Sequence, residues 1–171
     1  LTASDKALWR LALPMIFSNI IIRDPALRAR FQERDKLDKL LKSLLVIEPN
    51  SPTYLNAYAY TLALQNRRLD EARKYVEHAL EYAPEQASIL DTLGYICYLQ
   101  NDFVTSAEVL KKAYELSGSV KIGVNYARSV YMQGNIAEFS QVLQQLKQKH
   151  PNDPQLEQLN TLLLPQHMKK S

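Results

Sequence analysis

The side chains that most often carry enzymatic or metal chemistry are sparse in this sequence. Cys97 is the only cysteine, so the chain forms neither an internal disulfide nor a cysteine metal cluster. His78, His150 and His167 are far apart and lack the spacing of metal ligands. Cys97 lies at an apolar position of a predicted helix, with no nearby histidine or basic residue to activate its thiol. We therefore expect no catalytic residue, no metal site and no cofactor.

A repeat of about 34 residues organises the chain instead. Pro49, Pro84, Gly118 and Pro151 follow one another at intervals of 35, 34 and 33 residues, and each ends a stretch of helix-forming sequence. Proline cannot continue a helix, and glycine ends helices in the left-handed conformation. One extra residue in the turn at 65–68 brings the first copy into alignment with the others. The three copies cover residues 52–86, 87–119 and 120–153.

Each copy is predicted to form a pair of helices. In the clearest one we expect helices at about 88–100 and 104–116, joined by a turn at Asn101–Asp102. Gly94 is predicted to lie where the two helices cross, a place that Ala59 and Ala127 take in the other copies. The residues predicted to face inward from the second helices are Ala72, Val76 and Ala79, then Ser106, Leu110 and Ala113, then Phe139, Leu143 and Leu146. Phe139 stands where a small residue is usual, so the last helix pair should be looser or re-angled.

These residues resemble the tetratricopeptide repeat family of bacterial type, over about residues 35–163. The resemblance implies an all-α fold, a right-handed α-solenoid of helix-turn-helix repeats with a capping helix. The domain would span 23–171, with a partial repeat at 35–51 (DKLDKLLKSLLVIEPNS), a capping helix at 154–163 (PQLEQLNTLL) and a tail at 164–171. The partial repeat is expected to supply one helix at 35–48. Its partner helix is missing, since Asp24–Pro25 would break a helix across that window.

The resemblance also implies a binding surface. In this family the first helices line a concave groove, which here would carry Asn56, Tyr60, Asp91, Tyr95, Tyr98, Asn125, Arg128 and Tyr131. Tyrosine supplies a large apolar area with a hydroxyl, and arginine supplies a bidentate donor, which suits an extended peptide or a partner's helix. Two interpretations of the tyrosines stay open, ligand contact and packing between repeats. The lysines of the family's carboxylate clamp are absent, so we do not expect binding of chaperone C-termini.

Residues 1–22 depart from the repeat pattern and are predicted to form an apolar helix outside the array. Thr2 and Asp5 have the spacing of a capping box. The apolar run at 7–22 contains Arg10 and Pro14 and is shorter than the roughly 20 residues of a membrane span. Residues 4–20, SDKALWRLALPMIFSNI, resemble the start of the DNA-damage-inducible F branch of MATE efflux transporters. Either this segment is fused to the array, which the contiguous identity favours, or it is a helix that packs against the first repeat.

The charge distribution limits the partners. Residues 1–48 carry nine Lys and Arg against six Asp and Glu, whereas residues 49–171 carry twelve of each. The repeats therefore lack the basic stripe that neutralises phosphates, and we do not expect nucleic acid as a partner. Association with a membrane would involve residues 1–22 only.

The leading hypothesis is a non-catalytic bacterial scaffold that binds a peptide or helix of a partner protein in the groove. The resemblance suggests a role in envelope assembly, either cytoplasmic or periplasmic, with a targeting signal outside this chain. Two alternatives are a regulatory or adaptor segment of a larger enzyme and a fragment of a MATE-type transporter. The sequence leaves the oligomeric state open.

Overall fold

The computed structural model describes residues 25–163. Within that range the chain forms α-helices and one short 3-10 helix, and no strand. The helices are α1 (Pro25–Ile47), α2 (Pro52–Leu64), α3 (Leu69–Tyr82), α4 (Ala87–Leu99), α5 (Phe103–Ser117), α6 (Val120–Met132), α7 (Ile136–Lys149) and α8 (Pro154–Asn160), with the 3-10 helix at Thr161–Leu163. Residues 1–22, with their expected helix and their transporter-like segment, lie outside the described residues, as does the whole tail at 164–171.

The helix pairs follow the predicted repeats, with one correction. Helices α4 and α5 end within one residue of their expected bounds. Helix α1, in contrast, begins at Pro25 and not near residue 35. The first position of a helix tolerates proline, because its missing N–H would have no partner within the helix there. Pro25 is therefore the first residue of a long helix, and the proline does not exclude a helix from residues 25–34.

The chain divides into two compact units, of which the described parts are 25–84 and 85–163. In the first unit, α2 and α3 pack as a helical hairpin, because apolar residues recur along one face of each helix. Leu55, Tyr58 and Leu62 from α2 are fully buried, as are the predicted inward residues Ala72, Val76 and Ala79 from α3. The ring of Tyr58 meets Tyr75 edge-on, with 4.8 Å between centroids.

Helix α1 packs on α2 and leaves an apolar stripe uncovered. Leu41 is buried. Leu37, Leu40, Val46 and Ile47 are 42%, 57%, 83% and 74% exposed. Leu37, Leu40 and Ile47 are three and seven positions apart, so they lie on one side of the helix. We call Leu37, Leu40 and Ile47 the α1 stripe.

In the second unit, α4 and α5 cross at Gly94, as predicted. A Cβ on Gly94 would overlap the side chain of Leu110 on α5, so only glycine allows this approach. The Ser106 hydroxyl donates to the Gly94 carbonyl at 2.7 Å and shares a buried 2.8 Å hydrogen bond with the hydroxyl of Ser129 on α6. Cys97, which is on α4 with Gly94, is fully buried, as expected for a small apolar residue.

In the third repeat, the large side chain and the small side chain at one contact between the two helices have exchanged places. Leu55 and Leu90 hold one place in the first two repeats, and Gly123 holds it in the third. The facing place, small in Ala79 and Ala113, is taken by Leu146, which fills the space over Gly123. Phe139, Leu143 and Leu146 are all buried. Helices α6 and α7 make fewer close backbone approaches than the other two pairs do, which fits the looser or re-angled packing expected from Phe139.

Helix α8 closes this unit. Leu156 and Leu159 are buried against α6 and α7, which is how a terminal helix covers the end of a repeat core. The helix is shorter than expected, because the chain changes to a 3-10 turn at Thr161. Within residues 25–163, no helix has both the length and the apolarity to cross a bilayer.

Candidate functional site

The second unit contains a cleft between the first helices of two consecutive repeats, α4 and α6. Its volume is about 90 Å³. The residues that line it are Tyr95, Tyr98, Leu110, Asn125, Arg128 and Ser129. The fold therefore brings together four of the eight residues predicted for the groove, two from each helix. We call this space the α4–α6 cleft.

The remaining two lining residues were not predicted as site residues. Leu110 was assigned to the interior, where it is indeed almost fully buried, yet it also forms part of the cleft wall. Ser129 is four positions after Asn125, so it lies on the same side of α6. From the sequence, this spacing of four could have identified Ser129 as a neighbour of Asn125. Cleft formation itself depends on how α4, α5 and α6 pack.

A polar bridge joins the two helices beside the cleft. The Asn125 side-chain amide donates to Asp91 Oδ1 at 3.2 Å, and Lys121 Nζ lies 4.0 Å from Asp91 Oδ2. Asp91 is thus a predicted groove residue whose carboxylate already has protein partners. It orients Asn125 and does not line the cleft.

Arg128 is the cationic group of the cleft, and its partner is neutral. Its Nη2 donates at 2.7 Å to Oε1 of Gln158 on α8, at an exposed position. A guanidinium binds a carboxylate more strongly than a carboxamide, and it can do so through two parallel hydrogen bonds. A ligand carboxylate can therefore replace Gln158 at Arg128 with a gain in interaction energy.

The tyrosines divide into cleft and packing residues. Tyr95 and Tyr98 line the cleft, and Tyr98 is supported edge-on by Phe103 at 5.4 Å between centroids. Tyr131 is outside the cleft lining and packs edge-on against Phe139, with centroids 5.3 Å apart. Tyr131 therefore makes a packing contact, and its contact with a ligand stays a prediction.

Asn56 and Tyr60 belong to the other unit and do not line the α4–α6 cleft. Tyr60 is 40% exposed on α2. Asn56 is half-buried on the same helix, and its Oδ1 is enclosed without a hydrogen-bond partner among the described residues. Across residues 25–163, no group of three or more His, Cys, Asp and Glu is arranged to hold a metal ion.

Comparison with known proteins gives one curated relative and many similar folds. No family model matches the chain. A TPR repeat-containing protein of Pseudomonas aeruginosa is 29% identical over 97 residues, which are 57% of this chain. The match spans only 16% of that protein's length.

The similar solved structures are helical repeat proteins. A crystal structure of MamA has a TM-score of 0.67 at 14% identity, covering 80% of each chain. A thermophilic TPR protein of Thermus thermophilus also has a TM-score of 0.67, at 16% identity, covering 94% of this chain and all of that one. MamA of Desulfovibrio magneticus, from its residue 41 onward, has a TM-score of 0.65 at 13% identity, covering 88% and 93%. At these identities the likeness establishes the fold alone.

Proposed function

Because this chain is a tetratricopeptide-repeat protein, we propose that it holds a segment of a partner protein against the first helices of its repeats. Proteins of this fold are generally interaction scaffolds and not enzymes. The finer proposal is that an extended peptide or a helix binds in the groove, with its main anchor in the α4–α6 cleft.

One observation carries this proposal, the meeting of Tyr95, Tyr98, Asn125 and Arg128 around one cleft. The two tyrosines offer flat apolar area, Asn125 offers an amide, and Arg128 offers a cation whose present partner is neutral. Buried aromatic residues and arginine are the side chains that most often dominate the binding energy of protein interfaces. A volume of about 90 Å³ suits one apolar side chain of the partner better than a small-molecule substrate, whose sites are several times larger.

The test compares proteins captured from a Gram-negative lysate with its envelope solubilised. The bait is the wild type or the Tyr95→Ala, Arg128→Ala double variant, each purified with matching helical content by circular dichroism. We expect a partner that the wild type retains and the double variant loses, since both an aromatic anchor and the cation are removed. An envelope protein as that partner would support a role in envelope assembly, and an enzyme subunit would instead favour the adaptor interpretation.

A matched control removes the same kinds of side chain elsewhere. Tyr82 and Lys111 are exposed on the second helices α3 and α5, away from the cleft lining. The Tyr82→Ala, Lys111→Ala variant should retain the partner. If both double variants retain it, or both lose it, the α4–α6 cleft is not the anchor.

A further inference from the structure

A second cleft lies in the first unit, apart from the predicted groove face. It has a volume of about 280 Å³ and opens between α1 and the turn that joins α2 to α3. Its lining residues are Arg34, Asp35, Asp38, Lys39 and Lys42 from α1, with Gln65, Arg67 and Arg68 from the turn. Five of these eight side chains are cationic and two are carboxylates. We call it the basic cleft.

The turn that contributes Arg67 and Arg68 differs from the turns of the other two repeats. It is the turn with the extra residue, and it holds two non-glycine residues in the left-handed region, Asn66 (φ 49°) and Arg68 (φ 47°). The other two turns hold one left-handed residue each, Asn101 and Gly134. A left-handed conformation is unfavourable for most residues other than glycine.

The same turn also lacks a helix cap. In the second and third repeats, Asp102 and Asn135 accept hydrogen bonds from the backbone of the helix that follows. Arg68 occupies that place in the first repeat and makes no such bond. A missing cap destabilises the start of a helix. Backbone strain of this kind tends to persist at functional sites. This turn places two arginines, Arg67 and Arg68, beside the basic side chains of α1.

The charges that line the cleft are unequal in number, five cationic side chains against two carboxylates. Asp35 pairs with Lys39 at 2.8 Å. Arg68 lies 3.2 Å from Glu71 and 4.0 Å from Asp38. The Nζ of Lys42 stands 5.9 Å above the ring of Tyr58. The positive excess within one concave surface favours an anionic ligand.

One acceptor in the cleft restricts the ligand further. Asp38 is largely buried, and its Oδ1 is enclosed without a hydrogen-bond partner among the described residues. An enclosed carboxylate oxygen is costly unless a donor reaches it. A fitting ligand therefore presents an N–H or O–H group close to its negative charge.

We propose that the basic cleft binds an acidic segment of a polypeptide. A glutamate or aspartate residue supplies both requirements within a few ångströms, a backbone N–H for Asp38 and a carboxylate for the arginines. The lining residues include no aromatic side chain on which a nucleic-acid base could stack. The volume is near the lower end for ligand sites, which fits one or two acidic side chains. This site is separate from the α4–α6 cleft and does not depend on the function proposed for it.

The test uses a fluorescein-labelled hexaglutamate peptide with blocked ends, titrated with the full chain at low ionic strength and followed by fluorescence anisotropy. We expect saturable binding that weakens as salt is added, because screening shortens the reach of the charges. The Lys39→Gln, Arg67→Gln double variant should weaken binding by about tenfold or more, since charge-assisted hydrogen bonds are lost. The Lys36→Gln, Lys74→Gln variant has the same net charge and changes only exposed residues outside the cleft, so it should bind as the wild type does.

Several results would overturn the proposal. Equal loss in the two double variants would mean that only net charge matters. Loss in the Tyr95→Ala, Arg128→Ala variant, with the Lys39→Gln, Arg67→Gln variant unaffected, would assign the peptide to the other cleft. Binding to phosphatidylglycerol vesicles without binding to hexaglutamate would identify a membrane surface as the partner instead. Matching circular dichroism spectra exclude unfolding as the cause of any loss.

Discussion

At the scale of single residues, the hydroxyl of Tyr126 connects two helices through a carboxylate. It donates to Glu138 Oε1 at 3.0 Å, and Glu138 Oε2 accepts from the Asn135 side-chain amide at 2.7 Å. The Glu138 backbone N–H in turn donates to Asn135 Oδ1 at 3.2 Å. Asn135 is the N-cap of α7, so Tyr126 on α6 supports the start of the neighbouring helix.

The environment of Tyr126 predicts a loss of stability at alkaline pH. Burial, and next the hydrogen bond to Glu138, raise the pKa of Tyr126 well above its ordinary value of 10.0. Burial also raises the pKa of Tyr75 and Tyr114. A raised pKa means that the folded state binds the proton more tightly than the unfolded chain does. The associated stability is therefore complete below pH 10 or so and declines as the pH rises further.

The measurement is the free energy of unfolding by denaturant at several pH values from about 8 to 11. Tyr126→Phe should cost about 1 kcal/mol at pH 8, the value of one hydrogen bond, and should then decline less steeply than the wild type. Glu138→Gln keeps an acceptor without its charge. The decline of its free energy of unfolding with pH should therefore be intermediate between those of the wild type and Tyr126→Phe. Parallel curves for wild type and Tyr126→Phe would contradict this account.

At the scale of helices, Gly123 and Leu146 show how one repeat keeps its packing with the volumes exchanged. A Cβ on Gly123 would overlap Leu146 and would lie 3.0 Å from Cε2 of Tyr114. We therefore expect Gly123→Ala to destabilise the protein by about 1 to 3 kcal/mol, although alanine is the better helix former.

A double-mutant cycle isolates this contact. Leu146→Ala alone should cost about 2 to 5 kcal/mol as a large-to-small core change. In that background Gly123→Ala should cost close to nothing, because the space above it has opened. Gly94→Ala serves as the control, since its added Cβ would meet Leu110, and its cost should be the same with and without Leu146. An equal cost of Gly123→Ala in both backgrounds would refute the exchange of volumes.

At the scale of the whole molecule, the α1 stripe of Leu37, Leu40 and Ile47 is exposed apolar surface along one side of a helix. Contiguous exposed apolar surface of this kind marks an interaction site. Residues 7–22 are predominantly apolar, and only residues 23 and 24 separate them from α1, so this segment of the chain is within reach. That residues 1–22 form a helix that shields this face of α1 or pairs with another molecule stays a prediction.

A chain that begins at Arg23 tests it. We expect this shortened chain to unfold at lower denaturant concentration and to sediment as a larger species, because the stripe would then pair between molecules. Leu40→Lys in the shortened chain should restore the monomer, whereas Val104→Lys, at an exposed apolar residue of α5, should not. A shortened chain as stable and as monomeric as the full one would eliminate this role for residues 1–22, and a full chain that already dimerises through Leu40 would show that a second copy is the cover.

Sequence alone determined the local features of this protein. The period of the repeat, the helix-ending residues such as Gly118 and the burial of Ser106, Leu110 and Ala113 follow from helical periodicity and backbone preference. These signals act within one or two turns of helix, so they can be read from neighbouring residues. Pro25 was misjudged because a proline permits a helix to begin as readily as it stops one.

Only the tertiary structure decided which predicted groove residues meet. Asn125 and Asp91 are 34 residues apart in sequence, and Arg128 and Gln158 are 30 apart, yet each pair is hydrogen-bonded. The α4–α6 cleft gathers four of the eight predicted residues, while Tyr131 packs on Phe139 and Asp91 orients its neighbour. Contacts of this kind depend on crossing angles and on side-chain volumes at places such as Gly94 and Phe139. Those are properties of packed helices, and a linear pattern of residue types does not specify them.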